Sequence, residues 1–88
     1  MSRKKFEATL GQACIRVDRA IFERGKAPNL EEARRSLDQV LNSSKDGPRL
    51  KALRSQLERA ADVLSLELDD ANLREDLWDC LDYVDYRA

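Results

Sequence analysis

The side chains best equipped for chemistry in this 88-residue chain are its carboxylates and its two cysteines. Both sets lack the partners that catalysis near neutral pH requires. The chain contains no histidine, which removes the usual proton shuttle and with it the Ser-His and Cys-His nucleophile pairs. Asp79 and Asp82 could share acid–base work if a sheltered pocket drove their pKa values apart. A solvated helix face is the simpler reading, because exposed carboxylates keep their ordinary pKa. Cys14 and Cys80 are far apart in sequence and have no histidine with which to complete a zinc cluster. Each falls on the apolar side of its predicted helix, so a buried thiol is expected over a disulfide. Gly11, Gly25 and Gly47 are isolated and match neither a phosphate-cradling loop nor a dinucleotide fingerprint. The Asp69–Asp70 segment lacks the glycine and glutamate spacing of a calcium loop. These observations lead us to expect no enzyme activity, no cofactor and no metal site.

Recognition is the chemistry that remains, and the end of the chain carries its clearest signal. At about 100° per residue, Leu73, Leu77, Cys80, Leu81 and Val84 share one side of a helix. Trp78 lies well off that side, beside Glu75, Asp82 and Asp85, while Tyr86 falls next to Asp79. Tryptophan and tyrosine dominate many interfaces, and carboxylates around them steer a basic partner. The alternative is that Trp78 fills a wedge of the core, as the single tryptophan of a small bundle often does. The function expected is a non-enzymatic protein–protein interaction module, an inhibitor that docks this acidic-aromatic helix on a basic, nucleic-acid-handling protein. Its candidate binding residues are Glu75, Trp78, Asp79, Asp82, Asp85 and Tyr86.

Two other surfaces compete with it. Ile15 and Phe22 sit opposite Phe6 and Leu10 on the first predicted helix, with Ala8 and Gly11 nearby. A helix apolar on opposite sides is either central in its own fold or shared with a partner. A central place is the expectation, since other helices can surround one; a symmetric homodimer through Ile15 and Phe22, as in a structural subunit, is the alternative. Arg34, Arg35, Lys45, Arg49, Lys51 and Arg54 could make a small nucleic-acid-binding regulator together with Arg3, Lys4 and Lys5. Projected on helices they scatter, and Glu31, Glu32 and Asp38 interrupt the positive field. A nucleic-acid partner is therefore not expected.

The elements that must position these residues are helices. Phe6, Leu10, Ala13, Val17 and Ile21 predict a helix from Arg3 to Arg24, stopped by Gly25. Asn29 and Glu32 resemble a capping box for a second helix with Leu30, Ala33, Leu37, Val40 and Leu41 on its face, running to Leu41. Pro48 fits the first turn of a third, whose stripe is Leu50, Leu53, Leu57, Ala61 and Leu64. The stretch 65–70 shifts the apolar register, so Asp69 or Asp70 caps a fourth helix unless the third and fourth are continuous. No run alternates as a strand does. The fold expected is all-α, a small bundle of about four helices forming one domain over residues 1–88.

Composition agrees with a folded domain: 42% of residues are hydrophobic and 38% charged, with both signs present. The net charge of −1 is too small to imply a nucleic-acid or membrane partner. Its distribution is uneven, with seven basic against three acidic residues in 1–26 and two against eight in 67–88. No apolar run approaches the roughly twenty residues of a membrane span. Glu7 and Thr9 fall where a signal peptide would be apolar, so a cytoplasmic location is expected.

Overall fold

A computed structural model describes residues 1–86, and among these the chain forms five helices and no strand. They are α1 (Arg3–Arg24), α2 (Pro28–Asn42), α3 (Gly47–Ala52), α4 (Arg54–Glu67) and α5 (Ala71–Tyr86). The protein is an all-α bundle, as the apolar periodicity predicts.

The helix ends follow from local chemistry. Ser2 caps α1 by accepting from the Lys5 amide at 3.1 Å, and Gly25 ends it with φ 79°, a left-handed conformation that glycine adopts without steric cost. The sequence places the α2 cap at Asn29; the helix instead starts at Pro28 after Ala27, which makes no side-chain capping bond. Proline at this position lacks an amide that would have had no partner, and its fixed φ suits the first turn. Asn29 is thereby free to donate to Glu67 Oε1 at 3.1 Å.

The predicted third helix is divided in two. Asp46 caps α3 through the Arg49 amide at 3.1 Å, and Leu53, at φ −90° and ψ 0°, separates α3 from α4. The Leu53 amide is shared between the carbonyls of Arg49 and Leu50, both at 3.1 Å, a bifurcated bond typical of a tightened helix end. The third and fourth predicted helices are not continuous. Leu68 is extended, at φ −119° and ψ 129°, and Asp70 accepts from the Leu73 amide at 3.0 Å to start α5.

α1 packs against α2 and α5, and α4 packs against the same two from the other side, with α3 leaning on α4 and α5. The long helices thus form a square in which α1 and α4 are diagonal. Phe6, Leu10, Val17, Leu30, Leu37, Leu57, Leu64, Leu77 and Leu81 are among the side chains buried at its centre, each stabilising the fold by roughly 1.5–3 kcal/mol relative to exposure. Cys14 and Cys80 belong to this core as free thiols. Burial pushes the Cys80 thiol up to about 12 and raises Cys14 as well, because a thiolate is poorly solvated there.

Candidate recognition surface

Every residue expected to bind a partner is exposed. Leu73, Leu77, Cys80, Leu81 and Val84 turn one side of α5 into the core, which leaves Glu75, Asp79, Asp82 and Tyr86 on the outer side. Their spacing of four, three and four residues keeps them in one strip about 16 Å long at 1.5 Å per residue. Trp78 borders this strip and is 44% exposed. It therefore does not fill the core wedge considered from sequence. Tyr86 stands out further, at 82% exposure.

The fold removes one predicted member from this group. Asp85 lies on the flank of α5 nearest α4, where both its oxygens accept from Arg54, Oδ1 from Nε at 3.0 Å and Oδ2 from Nη2 at 3.2 Å. Arg54 also bonds Glu58, and hydrogen bonding to Asp85 raises the Arg54 pKa. Asp76 is drawn the other way, lying 3.7 Å from Arg16 of α1. Glu75, Asp79 and Asp82 have no ion-pair partner among the described residues.

Tertiary packing also brings in Met1 and Tyr83, which the sequence does not single out. Tyr83 stacks on Phe6 with ring centroids 4.4 Å apart and 23° between planes, so the end of α5 is anchored to the start of α1. Met1, Lys5, Asp79, Asp82, Tyr83 and Tyr86 then line one shallow groove. The basic start and the acidic end of the chain, separated in sequence, are neighbours in the fold. A groove with a cation on one wall and two carboxylates on the other suits a ligand bearing both charges, although its acidic wall continues onto the outer strip.

The second apolar side of α1 is not covered by other helices. Ile15 is 53% and Phe22 88% exposed, so the expectation that α1 is central is overturned. α1 occupies a corner of the square, and a corner helix buries one stripe only. The basic residues remain dispersed: Arg34 pairs with Asp18 at 2.9 Å and Asp38 at 3.5 Å, and Arg54 pairs with Asp85. Among the described residues no group of histidine, cysteine or carboxylate side chains could hold a metal ion, and no helix is long and apolar enough to cross a membrane.

The chain matches no protein-family model, and no curated protein or solved structure is significantly similar to it.

Proposed function

We propose that this protein is a non-enzymatic interaction module whose α5 strip binds a basic protein surface, as an inhibitor does when its carboxylates occupy a groove built for nucleic acid. One observation carries the reading: Glu75, Asp79 and Asp82 form a row that makes no salt bridge among the described residues and is bordered by the exposed rings of Trp78 and Tyr86. Carboxylates held on a folded helix lose little further freedom on binding, which favours association. They also accelerate encounter with a positive surface, while the rings supply contact area that charge alone does not. The neutralised Asp85 stands outside the strip and frames it.

The test is capture from an extract of the source cells at low and high salt, with bound proteins and nucleic acids both identified. The wild-type chain is compared with a folded variant combining Trp78→Ala, Asp79→Lys and Asp82→Lys. The expected result is a basic, nucleic-acid-handling protein that the wild type retains at low salt, the variant loses, and added duplex DNA displaces. Equal retention by both chains, or direct capture of nucleic acid, overturns the reading.

A further inference from the structure

The outer side of α1 has a composition that fits a copy of itself. Ala8, Ile15 and Phe22 recur there at seven-residue steps, which return side chains to within about 20° of one another on a helix. Gly11 lies on the same side, and a Cβ added there would meet nothing within 4 Å. No contact inside the fold therefore requires glycine at this position, although glycine weakens a helix interior. Ala8 and Gly11 leave a shallow notch on one side of Ile15, and Phe22 projects on the other.

We propose that the protein forms a homodimer by antiparallel pairing of α1 about a two-fold axis at Ile15. Ile15 meets its own copy, and each Phe22 sits on Ala8 and Gly11 of the other chain. The sizes match because Ala8 and Phe22 are both seven residues from Ile15. The charges match as well. A two-fold axis perpendicular to the helices brings equivalent shoulders together, and Lys5 and Glu23 both lie on the shoulder next to α5. Lys5 is ten residues before Ile15 and Glu23 eight after it, so Lys5 of one copy and Glu23 of the other differ by about 3 Å along the helix. Both are exposed and have no ion-pair partner among the described residues. Gln12 and Arg19 are three and four residues from Ile15 and meet in the same way, the Gln12 amide oxygen accepting from the guanidinium. A parallel pair would instead oppose Phe22 to Phe22 and carry the Lys5 and Glu23 shoulders of the two copies to opposite sides of the seam.

The corner position of α1 lets two squares meet edge to edge without α2 or α5 intervening. A single helix pair buries less than the roughly 1,200–2,000 Å² of a stable interface, so the dimer is concentration-dependent. This inference does not rest on the proposed role of the α5 strip, although Lys5 at the edge of the seam also lines the groove with Asp79 and Asp82.

Sedimentation equilibrium of the full chain between about 5 and 500 μM tests it, a range that brackets weak association. The average mass is expected to rise from monomer toward dimer. Phe22→Glu weakens the dimer by about tenfold or more, and Gly11→Leu, which fills the notch from open space, does the same. Lys5→Glu and Glu23→Lys each weaken it, and the double variant recovers most of the loss. Monomer at every concentration overturns the proposal, as does a dimer that survives both Phe22→Glu and Gly11→Leu. A charge-swapped double variant no better than the single ones overturns the antiparallel register.

Discussion

Arg24 holds Glu67 twice, through its carboxylate at 2.8 Å and through its backbone carbonyl. The last turn of α1 is thereby tied to the last residue of α4, helices that are otherwise diagonal in the square. Asn29, at the start of α2, donates to the other Glu67 oxygen, so three helix ends meet on one carboxylate. The Asn29 hydrogen bond first, and then Arg24, hold this carboxyl below its ordinary value.

A carboxyl with a lowered pKa in the folded state favours folding while it is ionised in both states, and that contribution is lost as pH falls through the lowered value. Wild-type stability is therefore expected to decline below the ordinary value of 4.5. Glu67→Gln should show a shallower decline. Urea midpoints measured from about pH 6 down to about pH 3 provide the check, since the midpoint reports stability at constant m.

The alkaline side has the opposite sign. The Cys80 thiol stays protonated up to about 12 in the fold against an ordinary value of 9.0, so above 9 the unfolded chain loses a proton that the folded chain keeps. Stability is present below that pH and falls through the interval between the two values. Cys80→Ala should flatten this limb in urea melts, at the cost of a small cavity. An aromatic disulfide reagent should modify neither cysteine of the native protein rapidly, and both after unfolding.

Phe6 and Phe22 share α1 but face opposite ways, at 0% and 88% exposure. Phe6→Ala is expected to lower stability by about 3–5 kcal/mol, since it opens a cavity and removes the ring on which Tyr83 stacks. Phe22→Ala should stay within about 0.5 kcal/mol for the monomer. Chemical denaturation at low protein concentration separates the two.

Asp85 and Asp79 provide an internal control for the α5 strip. Asp85 is already neutralised by Arg54, so Asp85→Asn should change affinity for a basic partner by less than about twofold, whereas Asp79→Lys should weaken it by about tenfold. Association kinetics at two salt concentrations check this, with Asp79→Lys slowing the on-rate chiefly at low salt.

The helices and the core were legible because both depend on local order. Apolar side chains at three- and four-residue steps identify a buried stripe from neighbours within the same segment, and Leu73, Leu77, Cys80, Leu81 and Val84 are all buried as that spacing predicts. Capping was less legible. Asn29 has the chemistry of a cap, but Pro28 starts the helix one residue earlier and Glu67, distant in sequence, binds the amide. The surface depended on packing still more. Periodicity places Trp78 off the core stripe of α5 without saying whether another helix covers it. It likewise marks two apolar sides on α1 without saying that α1 stands at a corner. Only the tertiary arrangement left Trp78, Ile15 and Phe22 exposed, paired Asp85 with Arg54, and set Lys5 beside Asp79 and Asp82. The sequence by itself determined which residues form helices and which stripe of each turns inward, because those follow from bonds and contacts a few residues apart. Exposure and charge pairing were decided by the packed fold, because they depend on groups that meet only when distant segments come together.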